Sequence, residues 1–450
     1  MNPTESKRIQ QAFKELIDYD ELMNCTRCGF CLPSCPTYAH TNDEVHSPRG
    51  RIALMKGVID GFSEPDDNLK RALDMCLGCR GCEPACPSGV QFGKLLEQSR
   101  EAIYQNKKES IFVRQTKKFI FRRLFPNKLR LIHATSLIGL YQRTSIRKIA
   151  YKTKAIRLLP SSLREMEKAL PVMPTKKEML KRPTHVKTKE KPKARVAFFS
   201  GCLMDTVFMK TNDATLKLLQ YAGCEVTIPQ NQNCCGALHG HSGQMQQAKE
   251  LAKQNIIAFE KLNVDYIITN AGGCGAYLYD YMHLFKDDYE WKERAAKFSS
   301  QIKDVTSILY ELKFHQGHLA LPPQMITYQD SCHLRNGQQT YEEPRKLLQA
   351  IEGVQYVEMP QANSCCGSAG IYNIIEHDMS MKILEAKMEN VKRTGAKTVV
   401  TSNPGCLLQM NMGIKREGLE NELRTVHIVD LLIEAYEYAH RRKKAIDSQT

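Results

Sequence analysis

Residues 25–36 read CTRCGFCLPSCP, and residues 76–87 read CLGCRGCEPACP. Both carry C-x2-C-x2-C-x3-C-P, so Cys25, Cys28, Cys31 and Cys35 are repeated as Cys76, Cys79, Cys82 and Cys86. This is the run that holds four-iron, four-sulfur clusters. Three thiolates two residues apart can wrap one cubane, each sulfur reaching a different iron. In two-cluster proteins the fourth cysteine serves the other cluster. The spacing therefore predicts one cluster on Cys25, Cys28, Cys31 and Cys86, and another on Cys76, Cys79, Cys82 and Cys35. Gly29, Gly78 and Gly81 would let backbone amides approach the sulfurs. Structural zinc sites pair two short C-x2-C hooks across a long gap, which this is not.

Forty residues separate the loops and read mostly as helix. Ser47 followed by Pro48 signals a helix start before RGRIALMKGVIDG, and Leu69, Ala72, Leu73 and Cys76 fall on one face of a second helix. The first domain, 1–100, is thus expected to be an α-helical ferredoxin type with two 4Fe-4S clusters. Arg49 and Arg51 could offset cluster charge or be ordinary surface arginines.

The C-terminal half repeats itself. RVAFFSGC ends at Cys202 and MITYQDSC at Cys332. CEVTIPQNQNCCG and VQYVEMPQANSCCG carry Cys234-Cys235-Gly236 and Cys365-Cys366-Gly367. VDYIITNAGGC ends at Cys274, and KTVVTSNPGC at Cys406. The offsets of 130, 131 and 132 residues mean duplication. Each unit reads strand–helix–strand–loop–helix–strand, an α/β unit with parallel strands, spanning 195–320 and 321–440. The fold class expected is α+β multidomain: a helical ferredoxin domain followed by tandem α/β CCG repeats. Ligands in open α/β sheets sit beyond the carboxyl ends of strands. Cys202, Cys234, Cys235 and Cys274 should converge there in loops, and Cys332, Cys365, Cys366 and Cys406 should form a second site. Gly236, Gly367, Gly273 and Gly405 are expected to supply the turns. An additional iron–sulfur cluster, zinc, or thiol–disulfide chemistry each fit these cysteines. Cys224, with no counterpart, reads as a core thiol. His239, His241 and His333 read as hydrogen-bonding neighbours of the sites.

The net charge of +15 is concentrated. Residues 101–195 hold 26 Lys and Arg against 6 Glu and no Asp, leaving the rest of the chain net acidic. This connector, 101–194, begins by interleaving Phe112, Phe119, Phe121, Leu124 and Phe125 with Arg122 and Arg123, and ends as a solvated linker. It reads as a helical connector, or as a contact with anionic lipid or an acidic partner. No nucleic-acid motif accompanies the charge. The N-terminus, MNPTESKRIQQAFKEL, lacks the apolar stretch of a signal peptide, and no segment approaches a spanning helix. The expectation is cytoplasmic, with a peripheral contact on the inner face of the cell membrane. Seventeen cysteines there argue for metal over disulfides.

NCTRCGFCLPSCPTY, SPRGRIALMKGV, CLGCRGCEPACPSGV and the two CCG repeats together resemble the glycolate oxidase iron–sulfur subunit family. The related C subunit of anaerobic glycerol-3-phosphate dehydrogenase, lactate-utilisation proteins and heterodisulfide reductase share parts of the pattern. The resemblance implies an electron-transfer subunit of a flavin-linked 2-hydroxyacid dehydrogenase or oxidase. FAD would lie on a partner subunit that oxidises glycolate to glyoxylate, and the acceptor would be a quinone. Heterodisulfide-reductase repeats end in C-x2-C and bind a non-cubane cluster through five cysteines. Ala271 and Asn403 occupy the first of those positions here, a departure from that ligand set. The residues agree with this division of labour: no G-x-G-x-x-G follows a strand, no flavin or nicotinamide fingerprint is present, and no catalytic acid–base set stands out. A thiol–disulfide oxidoreductase like heterodisulfide reductase is the alternative.

Overall fold

The computed structural model describes residues 1–188 and 190–447. Its N-terminal part is helical, and the chain supplies side-chain caps at several of the helix starts. Asn2 and Glu5 form a reciprocal capping box on Pro3–Leu16. Ser47 accepts from the Gly50 amide to open Pro48–Asp60, and Asp66 opens Asp67–Asp74. With Phe92–Asn106, these helices bury Ile9, Phe13, Met55, Leu73, Leu95 and Leu96 in one core. Each such side chain contributes about 1.5–3 kcal/mol. Both cysteine loops hang from this core, with Cys25, Cys82 and Cys86 packed against it.

The C-terminal half contains two sheets of the same design. The first uses β1 (His185–Val186), β2 (Ala194–Phe198), β3 (Cys224–Thr227), β4 (Tyr266–Thr269) and β5 (Ile302–Asp304), in the order β1-β3-β2-β4-β5. The second uses β6 (Ala320–Gln329), β7 (Glu352–Tyr356), β8 (Thr398–Thr401) and β9 (Arg424–His427), in the order β7-β6-β8-β9. All pairings are parallel except β1 with β3. In each sheet the earliest parallel strand lies inside and the chain departs first to one side, then to the other. That leaves a switch point at the carboxyl ends, where α/β sheets bind ligands. The two repeats share one apolar core, with Phe198, Leu219 and Ile268 from the first and Ile326, Val400 and Leu432 from the second.

Several expectations need correcting. Each sheet has a further strand, β5 or β9, beyond the three read from sequence, and β1 forms within the stretch taken as solvated linker. The last helix runs Ile428–Asp447, past residue 440. The connector is helical but strapped down. Phe121 is buried, its ring 5.1 Å from His239, whose Nε2 meets the Phe121 carbonyl at 2.7 Å. Arg182 and Lys128 both pair with buried Asp205, at 3.1 and 2.9 Å, and Glu165 pairs with Arg416 at 2.7 Å. The segment thus ties to both repeats.

Candidate metal centres

The two ferredoxin-type loops have matching backbones. Arg27 and Gly29 take left-handed conformations in the first, and Gly78 and Arg80 take them in the second. These are the second and fourth residues after the leading cysteine in both. The conformation turns successive amides toward the sulfurs, and the Gly78 amide lies 3.4 Å from Cys76 Sγ. Gly29 is favoured by its φ of +88°; a Cβ there would also stand 2.7 Å from Arg49 Nη1, the end of a flexible side chain that can move aside. Gly81 is not left-handed. Its place is set by close approach, with the Ser34 carbonyl 3.3 Å from where a Cβ would be.

Cys35, Cys76, Cys79 and Cys82 line one cavity with Arg51, Leu77 and Phe92. These four are the set expected from cross-pairing, drawn from both loops. Burial pushes the Cys79 and Cys82 thiols up, and neighbouring cysteines add to it. Four bare thiolates would be costly there, whereas a cationic iron core offsets their charge, so the donor set fits a cluster. Arg51 is fully buried beside the site. It donates to the Ala72 carbonyl at 2.7 Å and Thr37 Oγ1 at 3.1 Å, and its Nη1 is 4.0 Å from Cys35 Sγ. Arg49 instead pairs with Glu44 and caps the Arg27 carbonyl at 3.1 Å.

The other loop faces outward. Cys28 is exposed, Phe30 is 67% exposed, and backbone hydrogen bonding at Phe30 holds the Cys28 thiol below its usual range. Cys25 and Cys31 are half-buried, and Cys35 acts electrostatically on Cys31.

In each repeat the four cysteines form a string of sulfur contacts. Cys202 meets Cys234 at 3.7 Å, Cys234 meets Cys235, and Cys235 meets Cys274. Cys332, Cys365, Cys366 and Cys406 follow the same order. Contact with Cys234, then burial, raises the Cys202 thiol, and contact with Cys365, then burial, raises that of Cys332. Three members lie elsewhere than in loops. Cys332 begins helix Cys332–Gln338, and Cys274 and Cys406 are third in helices Gly272–Tyr279 and Pro404–Arg416. Gly273 and Gly405 therefore belong to helices, while Gly236 and Gly367 make the turns, at φ +88° and +91°. Among the described residues no three Cys, His, Asp or Glu are grouped as a single metal ion requires. Cys224 is fully buried at the start of β3, its thiol pushed up to about 12 by burial.

The second ferredoxin-type loop is wedged between both repeats. Arg80 pairs with Asp280 at 2.7 Å, Arg100 bridges the Cys76 carbonyl (2.7 Å) and that of His241 (3.0 Å), and Asn336 donates to the Cys79 carbonyl at 2.9 Å. His241 meets Glu97 at 2.7 Å, and His333 Nδ1 lies 3.6 Å from Cys332 Sγ. Asn336 and Lys387, a buried lysine beside the second repeat's cysteines, were not assigned to sites from sequence, since charged and amide residues carry no burial signal there; of the two arginines weighed as offsetting cluster charge, Arg51 is the buried one.

Comparison with known proteins matches this division. A model described as a 4Fe-4S dicluster domain covers residues 21–90, one described as the linker region of the glycolate oxidase iron–sulfur subunit covers 112–170, and one described as a cysteine-rich domain covers 196–279 and 326–411. A Bacillus subtilis (strain 168) protein named "Probable glycolate oxidase iron-sulfur subunit" is 60% identical over 433 residues, 96% of this chain and 98% of that protein. The Escherichia coli (strain K12) glycolate oxidase iron–sulfur subunit is 30% identical over 86% of this chain and 88% of its own. Lactate utilization protein A of Oceanobacillus iheyensis is 32% identical over 53% of this chain and 96% of its own. A crystal structure of a hypothetical protein from Helicobacter pylori shares the fold, with TM-score 0.52 at 11% identity over 92% of this chain and 72% of that one. With high identity along nearly its whole length and with the matching linker, the chain belongs to the family of glycolate oxidase iron–sulfur subunits.

Proposed function

We propose that this chain is the electron-transfer subunit of a flavin-linked glycolate dehydrogenase or oxidase complex, linking a partner flavoprotein to a quinone-type acceptor. The observation that carries the reading is the shared placement of Cys35, Cys76, Cys79 and Cys82 around one cavity, the last three on a loop that contacts both repeats. Cys25, Cys28, Cys31 and Cys86 would hold the other 4Fe-4S cluster. Bound clusters supply one-electron carriers that a two-electron flavin can discharge into. The chain's own residues hold them, exclude water from the inner one, and set nearby charge through Arg51. The strings Cys202, Cys234, Cys235, Cys274 and Cys332, Cys365, Cys366, Cys406 would take further iron–sulfur groups.

Exposure separates the sites by role. Cys28 and Phe30 reach the surface, so the first loop is the face a flavoprotein would meet. The connector suits an anionic membrane surface. Of the 27 exposed large apolar side chains among the described residues, sixteen fall between Ile111 and Leu180, inside the segment with the basic excess. No helix among the described residues is long and apolar enough to cross a membrane, so such contact would be peripheral. Lactate as substrate is the second reading, favoured by the lactate-utilisation relatives, which match 53% of the chain.

The test is anaerobic purification of the native complex, followed by glycolate or lactate addition with cluster spectra recorded. Glycolate should bleach the clusters within turnover time. Bleaching by lactate alone would favour the second reading, and no bleaching by either, with a flavoprotein present, would refute the proposal. Sedimentation with anionic vesicles, lost at high salt, tests the membrane contact.

A further inference from the structure

The duplicated sites are not chemically equal. Gly236 lies against Ala248, and Gly367 against Ser380, 132 residues later. Seven residues further along these two helices stand Asn255 and Lys387, related by the same offset, and both are buried. Asn255 is a neutral bracket. It accepts from the Asn233 amide at 2.8 Å and donates to the Cys234 carbonyl at 3.0 Å and the Tyr281 hydroxyl at 3.1 Å. Lys387 donates to the Gln361 carbonyl at 2.6 Å, four residues before Cys365. Among the described residues it forms no ion pair. Asp330, whose charge acts on it, is itself held by Arg335 at 3.2 Å and Arg345 at 2.9 Å. Burial lowers the amine to about 8, and Cys366, Cys365 and Cys406 act to keep it charged. Lys387 thus neighbours the second repeat's cysteines, and a bound group that holds them as thiolates would give it a counter-charge.

The second repeat also adjoins the inner ferredoxin-type loop. Met75 and Leu77 share a core with Cys365 and Tyr372, and the Tyr372 hydroxyl donates to the Met75 carbonyl at 3.0 Å. Cys79 acts electrostatically on Cys365, and Cys332 on Cys79.

We infer that Lys387 is a positioning residue that makes the second repeat's site, on Cys332, Cys365, Cys366 and Cys406, the more electron-accepting of the two. Reduction adds one negative charge to whatever iron–sulfur group these thiolates hold. A fixed buried ammonium stabilises that charge and an amide does not. The inference rests on the reading that the repeats hold iron–sulfur groups.

The experiment is a redox titration, monitored by electron paramagnetic resonance, of the anaerobically purified full chain. Iron is counted first, and signals are assigned by their loss in Cys366→Ser (second repeat) and Cys235→Ser (first). Lys387→Gln should make reduction of the second repeat's signal at least tenfold less favourable, 59 mV for one electron, and leave the first repeat's signal in place. Lys387→Arg should restore the wild-type potential. Less than a twofold change in Lys387→Gln with iron intact, or equal shifts in both variants, would reduce Lys387 to a prop for the Gln361 loop. Iron no higher than about eight per chain in the wild type, unaffected by Cys366→Ser, would overturn the iron reading of the repeats and this inference with it.

Discussion

Replacing Arg51 by glutamine removes a buried cation from beside the inner ferredoxin-type site and leaves the four cysteines in place. At an effective dielectric of ~20, a unit charge 4 Å away is worth ~4 kcal/mol. Arg51 Nη1 is 4.0 Å from Cys35 Sγ, but an electron added to a cluster is delocalised beyond any one sulfur. Taking roughly twice that distance halves the energy to ~2 kcal/mol, a fall in reduction potential of about 90 mV. The substitution also loses charge-assisted hydrogen bonds to the Ala72 carbonyl and Thr37, each worth about 1.5–3 kcal/mol, so iron content and melting temperature are measured alongside. Arg51→Lys, which keeps the charge and loses the fork, should recover most of the potential and little of the stability. The assay is a spectroscopic redox titration of the as-purified protein. A potential within about 20 mV of wild type in Arg51→Gln, with iron unchanged, would show that this cation does not set the site's electrostatics.

Cross-paired loops predict that Cys35→Ser abolishes the same spectroscopic signal as Cys79→Ser and spares the one lost in Cys28→Ser; grouping of Cys35 with Cys28 would contradict the pairing. Gly367→Ala should cost about 2–3 kcal/mol, since it combines φ +91° with a Cβ 2.7 Å from the Ser380 carbonyl oxygen. Gly418→Ala, at φ +69° with nothing within 4 Å, should cost only about 1 kcal/mol, and thermal melting ranks the two. Burial lowers His427 to about 4, against ~6.5 in the unfolded chain. The unfolded chain therefore takes up a proton first, and stability falls as pH drops from about 6.5 toward 4, by ~1.4 kcal/mol per unit. His427→Gln should flatten the melting temperature between pH 7 and 5, and an unchanged slope would show that another group governs it.

Features written in local spacing were legible in the sequence. The cysteine runs and the helix start at Ser47 depend on neighbours a few residues away, and the constant offsets between like motifs marked the parallel α/β repeat. Features set by tertiary packing were not. β5 and β9 are three and four residues long and carry no usable alternation, so they read as loop. Cys274 and Cys406 follow their strands so closely, and with glycine before them, that the helix start was read as a turn. Lys387 looks like a surface charge, and Arg51 could not be told from Arg49, because sequence cannot show which of them the interior will enclose. Phe121 sits among exposed aromatics and basic residues, and only the docking of the connector on His239 sets it apart.

The central claim is that the cysteine sites hold iron–sulfur clusters that make this chain an electron carrier. Counting iron, acid-labile sulfide and zinc in protein purified without oxygen tests it most directly. The account predicts a brown protein with about eight or more irons per chain, matched by sulfide and accompanied by little zinc. A colourless protein carrying zinc and no sulfide would contradict it.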